Sequence, residues 1–382
     1  MKILGIAAEY NPFHKGHGYH LERSMEISGA DVSVAVMSGN FTQRGEPAVF
    51  DKWQRAETAV ENGVDLVLEL PFIYACNSAE FFAEGAVKIL GGIGASFMSF
   101  GSESGDLEKL SDAAEFFLEE TDEYRDMLRK GLKDGLPFAK ARSLAAKTVM
   151  GTETGKILEG SNNILAIEYL KQIKLRKSGM TPLTVKREGS GHTDISADGD
   201  MPSAAALRER MRKQDVEDAV FPADMYGMIM ETLMTRTAEE LSEILSVSEG
   251  LENKMKSRFR YASDMESLVK ELSSKRYAVS RIRRMLIQAL MGLTKEKFDR
   301  ARNHPYARVL AFSSKGAETL KEIKKKEIEI PVINNINKQV RPDDDIWGTL
   351  SFDVLASDIY NLAAGRDLYD GCDMIKTVPV RK

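Results

Sequence analysis

Cysteine is scarce in this chain: its 382 residues include two, Cys76 and Cys372. Two thiols cannot build the disulfide framework of a small secreted scaffold, and they suit a reducing compartment, so a cytoplasmic protein is expected. Long hydrophobic runs are missing too. No stretch approaches the roughly 18 apolar residues of a membrane span, and the first apolar run stops at Glu9, too short for the core of a secretion signal. No membrane partner is therefore expected. Nor is there a strong overall charge: the net −5 at pH 7 argues against a polyanionic partner, but the average hides a division. Between Lys254 and Lys326 there are 20 Lys and Arg against 7 Asp and Glu, a surplus of 13 that leaves −18 on the remainder. A polyanion would dock on that later part. What is present is a globular composition, 43% hydrophobic and 29% charged. It is enough chain for a sizeable core and two domains.

The stretch Gly5-Ile6-Ala7-Ala8-Glu9-Tyr10-Asn11-Pro12-Phe13-His14-Lys15-Gly16-His17 organises the rest. Lys2 to Ala8 has no polar alternation, as in a strand buried on both faces of a parallel sheet. Gly18 to Ile27 can follow as a helix whose free N–H groups face the turn. A phosphate there would meet unpaired donors and the positive end of the helix dipole. His14 and His17 add side-chain donors, and Gly16 removes a Cβ that would hold the backbone off a phosphate. Two solvated surface histidines fit the spacing equally well. A zinc pair fits less well, because metal sites need three or four protein ligands and the nearby additions are His20, Glu9 and Cys76.

Strand and helix then alternate, which predicts an α/β, doubly wound parallel sheet. Val32 to Met37, Leu66 to Leu70, Ser96 to Phe100 and Thr181 to Lys186 read as strands, and Asp51 to Asn62 and Asn77 to Leu90 as helices. Loops at the carboxyl ends of such strands face the ligand. They bring Thr42, Gln43 and Arg44, then Gly101, then Arg187 and Glu188 to one side. Arg44 suits a phosphate, a carboxylate or plain solvent. Gly101 lets an adenine or ribose approach the backbone. Residues 106–120, 122–133 and 137–149 form a helical insertion, and Asn162 reads as the N-cap of a helix over 164–173. Ser203 and Arg208 sit at another helix start suited to phosphate. In the second half, Lys275, Arg276, Arg281, Arg283 and Arg284 run into an apolar helix, with Arg281 and Arg284 three apart and Tyr277 and Tyr261 nearby. That pattern suits an RNA backbone with an unstacked base, or a solvated face. A strand over 309–312 and helices over 317–326 and 350–364 close the chain.

The pair His14-Lys15-Gly16-His17, preceded by Asn11-Pro12-Phe13, resembles the signature of the HIGH-type nucleotidyltransferase superfamily. Together with Ser38-Gly39-Asn40-Phe41-Thr42-Gln43-Arg44-Gly45-Glu46-Pro47-Ala48 and Asp65-Leu66-Val67-Leu68-Glu69-Leu70-Pro71, it is similar to the bacterial tRNA(Met) cytidine acetate ligase family. The resemblance implies a Rossmann-like nucleotidyltransferase, residues 1–214, that binds ATP and carries the insertion at about 106–150. It also implies a mainly helical, basic, tRNA-binding domain over 215–382. It implies that acetate and ATP give acetyl-adenylate and pyrophosphate, with Mg²⁺ on the phosphates and no protein ligand assigned to it. The wobble cytidine of elongator tRNA(Met) then takes the acetyl group, giving N4-acetylcytidine. His14, His17 and Arg187 are the expected catalytic groups. ATP contacts are expected from Ala7, Asn11, Pro12, Phe13, His14, Gly16, His17, His20, Gly101, Asn162, Arg187, Glu188, Ser203 and Arg208. Alanines at Ala204 and Ala205 stand where the superfamily carries hydroxyls. A nucleotidyltransferase that adenylylates a small phosphorylated metabolite, or a non-catalytic RNA-binding adaptor, stays open on the residues alone.

Overall fold

The computed structural model describes residues 1–187, 203–326, 328–369 and 373–379; Glu188, His192 and Cys372 lie outside them. The unbroken apolar runs become strands Ile3–Ala8 (β1), Val32–Ser38 (β2), Leu66–Leu70 (β3), Phe97–Ser102 (β4) and Thr181–Lys186 (β5). They pair in parallel in the order β5-β4-β1-β2-β3. Every residue of β2 is buried, with Val32, Val34 and Val36 in one hydrophobic cluster and Ala35 and Met37 in another. Burial on both faces explains the missing polar alternation. Because β1 has β2 on one side and β4 on the other, strand order reverses at β1. The crevice beyond the carboxyl ends of β1 and β4 is where such sheets bind ligands.

This is the doubly wound sheet the alternation predicts, with an extension. Ala307–Phe312 (β6) pairs antiparallel with β3, and Val332–Ile333 (β7) parallel with β6. Both strands come from the part of the chain expected to be mainly helical, so one seven-stranded sheet spans the two halves. A buried charge cluster fastens this junction. Lys52 Nζ lies 2.7 Å from Glu69 Oε1 and 2.6 Å from Asp373 Oδ2, and Arg308 lies 2.6 Å from the same Asp373 oxygen. Two cations and two carboxylates out of water offset one another's desolvation, so losing any one would leave a buried charge uncompensated.

The helical insertion is Leu107–Glu119, Asp122–Lys133 and Phe138–Met150, followed by the short Thr152–Ile157. Phe116, Phe117 and Tyr124 meet edge to face at its centre, and the Arg142 guanidinium lies 4.2 Å over the Phe117 ring. No helix among the described residues is long and apolar enough to cross a membrane.

Residues 39–51, between β2 and the helix Lys52–Glu61, are the loop on which both halves converge. Arg55, fully buried, donates to the Phe50 carbonyl at 2.9 Å, Glu9 at 2.5 Å and Ser38 at 3.0 Å, and also to that of Gly39, tying the ends of β1 and β2 together. From the second half, Ser357 accepts from Asn40 Nδ2 at 3.1 Å and the Tyr360 hydroxyl donates to the Ala48 carbonyl at 3.0 Å.

Candidate active site

The helix after β1 is Lys15–Ser28, starting three residues before the expected Gly18, because His14 is its N-cap. Histidine Nδ1 atoms do the work usually done by Ser, Asp or Glu oxygens. His14 Nδ1 accepts from Gly16 N at 3.1 Å, and His17 Nδ1 accepts from His14 N at 3.2 Å. The two rings stack with centroids 3.8 Å apart and planes 20° from parallel. Tyr10 and Phe13 brace them, with centroids 5.0 and 5.4 Å from His17.

This capping fixes the chemistry of the pair. Burial, then the charges that His14, His20 and Arg187 can carry, hold His17 well below the ordinary histidine range. Burial and Arg187 push His20 down to about 4. His17 and His20 are therefore neutral near pH 7. With Nδ1 engaged as an acceptor, the hydrogen-bond pattern assigns the ring proton of His14 and His17 to Nε2. Each offers an N–H donor beside the first amides of the helix. His20 Nε2 lies 3.1 Å from the Ser99 hydroxyl, itself 2.7 Å from that of Ser24.

A single cavity gathers most of the expected residues: Ala7, Asn11, His14, Gly16, His17, His20, Gly101, Asn162, Arg187, Ser203 and Arg208 all line it. Pro12 and Phe13 are not among its lining residues; the Phe13 ring packs on Tyr10 and His17. Glu188 lies outside the described residues. The two glycines have a nearer neighbour than a nucleotide. A Cβ on Gly16 would lie 3.0 Å from His14 Cε1, and one on Gly101 would lie 3.3 Å from Arg187 Cγ. Each gives room to the functional side chain beside it.

Asn162 is not the cap expected of it. The helix is Ser161–Leu175 with Gly160 at its N-cap, and the acceptor comes from the loop after β4. Glu103 Oε1 takes Asn162 N at 3.0 Å and Nδ2 at 2.7 Å, and Glu103 Oε2 takes Asn163 N at 2.7 Å. Burial opposes ionisation of Glu103, but these donors outweigh it and hold its carboxyl below the usual value. The Asn162 amide oxygen is left to accept from Arg187 at 3.3 Å, which steadies that guanidinium on the cavity wall. Across the site, Ser203 Oγ caps the helix Ala204–Lys213 by accepting from Ala206 N at 3.2 Å, and Arg208 donates to the Asn11 carbonyl at 2.8 Å.

The sequence offers Glu9 only as a possible metal ligand and passes over Glu103 and the apolar wall of Phe82, Phe100, Leu165 and Tyr169. An acid just beyond a buried strand, as at Glu9 and Glu103, was the available signal; Tyr169 sits in a helix and reads as core. The cysteine alternative loses force, because burial pushes the Cys76 thiol up to about 12.

The five basic residues of the second half divide. On the helix Val279–Met291, Arg283 pairs with Glu46, and Arg284 donates to the Gln43 carbonyl at 3.1 Å, both on the loop that lines the cavity. Arg284, expected three residues on from Arg281 along one basic face with Arg283 turned aside, instead turns with Arg283 toward that loop, on a helix whose Ile282 and Met285 are buried. Arg281 points elsewhere, donating to Ser248 Oγ at 2.7 Å with its guanidinium 4.9 Å over the Tyr277 ring. Lys275 and Arg276 are exposed, Arg276 beside Glu249 at 3.0 Å.

Comparison with known proteins identifies the family. The profile of the HIGH Nucleotidyl Transferase family matches residues 1–370. The tRNA(Met) cytidine acetate ligase of Thermoanaerobacter sp. (strain X514) is 43% identical over 98% of both chains. That of Acetivibrio thermocellus is 39% identical over 94% of both. Thermotoga maritima TmcAL bound with alpha-thio ATP superposes with a TM-score of 0.88 at 33% identity, covering 100% of this chain and 99% of that one. Its apo form gives 0.90 at 32% identity with the same coverage. The chain belongs to the HIGH nucleotidyl transferases and, among them, to the tRNA(Met) cytidine acetate ligase family.

Proposed function

We propose that this protein activates acetate with ATP and passes the acetyl group to the wobble cytidine of elongator tRNA(Met). The supporting observation is the stacked histidine pair at the β1 crevice, in a chain that matches ligases of that name over nearly its whole length. An acetate oxygen bonds to the α-phosphorus of ATP, and the α–β bridging P–O bond breaks, giving acetyl-adenylate and pyrophosphate. The cytidine N4 then attacks the acetyl carbon, AMP leaves, and N4 loses a proton.

Acetate is a weak nucleophile, so the first step depends on fixed donors where negative charge grows. The Nε2–H groups of His14 and His17 and the first amides of their helix hold the α-phosphate. Arg187 and Arg208 balance the rest of the triphosphate, and Ala7 and Gly101 border the nucleoside. Among the described residues no cluster of three or more His, Cys, Asp or Glu could hold a metal. Mg²⁺ would therefore ride on phosphate oxygens and water, the usual arrangement for this ion. Lys275, Arg276 and Arg281, with Tyr277 and the 72% exposed Tyr261, form the face offered to tRNA.

Incubation with ATP, labelled acetate and mixed tRNA tests the reading. Label should appear at the wobble cytidine of elongator tRNA(Met), with one AMP and one pyrophosphate formed per acetyl transferred. Acetate-independent transfer of AMP from ATP to a phosphorylated metabolite, with release of pyrophosphate, would favour the small-substrate transferase instead, and no turnover at all would favour the adaptor.

A further inference from the structure

We infer that Arg44 is the carboxylate-binding residue of the acetate subsite, on the β2 flank of the cavity; the inference rests on the ligase reading above. The wall carries three arginines, and two have partners: Arg187 donates to Asn162 at 3.3 Å, and Arg208 to the Asn11 carbonyl at 2.8 Å. Among the described residues, the Arg44 guanidinium has no hydrogen bond, ion pair or ring contact, although it borders the cavity. The acid nearest in sequence, Glu46, is taken by Arg283. Arg44 is left with an unfilled fork that suits the two oxygens of a small carboxylate.

The loop presents this side chain from a held turn. Thr42 N donates to the Glu46 carbonyl at 2.9 Å and Gly45 N to the Thr42 carbonyl at 3.0 Å, closing the turn whose tip is residues 43 and 44. Gln43 N donates to Glu9 Oε1 at 2.7 Å, fixing the turn to the end of β1. Preorganisation of this kind lowers the entropy cost of holding a weak nucleophile in line.

Strand order supplies the direction of attack. Of the groups assigned to the nucleotide, Gly101, Asn162 and Arg187 lie on the β4 and β5 side of β1, whereas Arg44 follows β2 on the other side, where Arg208 is its neighbour. In-line displacement needs the nucleophile opposite the departing pyrophosphate. With the histidine pair between the flanks, a carboxylate on Arg44 approaches the α-phosphorus from the side the nucleotide leaves open. One oxygen stays on the guanidinium, and the other forms the new P–O bond.

Acetate-dependent ATP–pyrophosphate exchange on the full-length protein tests the assignment, with Arg44→Ala and Arg44→Lys. The loss of a charge-assisted hydrogen bond predicts a roughly 10- to 100-fold rise in the KM for acetate for Arg44→Ala and a smaller one for Arg44→Lys. The KM for ATP should stay within about threefold, the sign that the loop is still folded and the phosphates still held. Added guanidinium ion should partly restore Arg44→Ala. A rise in the KM for ATP with acetate affinity intact would overturn the assignment, making Arg44 a phosphate ligand. Unchanged constants for both substrates would overturn it as well. If the unsubstituted protein catalyses no acetate-dependent exchange, the ligase reading fails and the subsite with it. If that exchange is normal and the variants match it, only the Arg44 assignment falls.

Discussion

Gly45 carries a sharp test of how the second half of the chain holds the cavity loop. Its φ is +75°, and an added Cβ would stand 2.2 Å from Arg284 N and 2.5 Å from Arg283 C. Those atoms belong to a helix backbone and cannot swing aside. Gly45→Ala thus carries two costs: about 1–2 kcal/mol for an L side chain in the left-handed region, and about 1–3 kcal/mol for overpacking. Gly94 separates them. Its φ is +77°, and an added Cβ there would meet nothing within 4 Å, so Gly94→Ala bears the backbone cost alone. Equilibrium urea unfolding of the two variants should place Gly45→Ala about 1–3 kcal/mol below Gly94→Ala. Because Arg44 adjoins the displaced residue, Gly45→Ala should also raise the KM for acetate, and Gly94→Ala should not. Equal stability of the two would mean that the loop does not rest on that helix in solution, and the argument for a held Arg44 would go with it.

Three further outcomes follow from the site. His14→Asn and His17→Asn keep an acceptor at the Nδ1 position while removing the donor at the Nε2 position, so adenylate formation should fall by roughly 10²–10³ with thermal stability little changed; normal exchange rates would reduce the imidazoles to helix caps. His20 is held near 4 by burial and Arg187, whereas an unfolded histidine titrates near 6.5. Between those values the unfolded chain binds the extra proton, so this group's contribution to stability rises with pH and is lost as pH falls from 6.5 toward 4, by about 3 kcal/mol at most. His20→Asn should therefore narrow its stability gap from the unsubstituted protein as the solution is acidified, and a constant gap would refute the burial argument. Lys275→Ala with Arg276→Ala should weaken tRNA binding and flatten its salt dependence by about one unit of slope per lost phosphate contact without altering acetate-dependent exchange; unchanged tRNA affinity would move the docking face elsewhere.

The parallel core was legible because burial on both faces leaves an unambiguous pattern. Leu66–Leu70 and Thr181–Lys186 fall on the residues their sequence pattern predicts. Local pattern fails where a residue's partner lies far along the chain. Val309–Phe312 reads as a strand, but nothing in it says that it pairs antiparallel with β3. Arg55 reads as the polar side of an amphipathic helix, yet it is buried because carbonyls at the ends of β1 and β2 converge on it. His14 was expected to contact phosphate and does line the cavity. Its capping role went unread because a ring nitrogen seldom replaces a hydroxyl or carboxylate there. In the basic run after Lys275, charge alone does not record that Glu46 and the Gln43 carbonyl await two of its arginines.

That division of the arginines bears on how two substrates of very different size are handled by one sheet. Within four residues of a single helix, Arg281 reaches Ser248 and Tyr277 on the side of the exposed basic residues, while Arg283 and Arg284 grip the loop that carries Arg44. A helix is stiff over one turn, so these contacts cannot be displaced independently. The loop itself is fastened at Asn40 and Ala48 to the helix Trp347–Ala363, and that helix is tied to the first half where Asp353 accepts from Phe72 N at 2.5 Å. Each fastening comes from the second half of the chain and ends on the nucleotide side. The cavity loop is therefore held by the same helix that carries Arg281 toward the exposed basic residues, and a first half expressed alone would lack the supports of its own β2 loop.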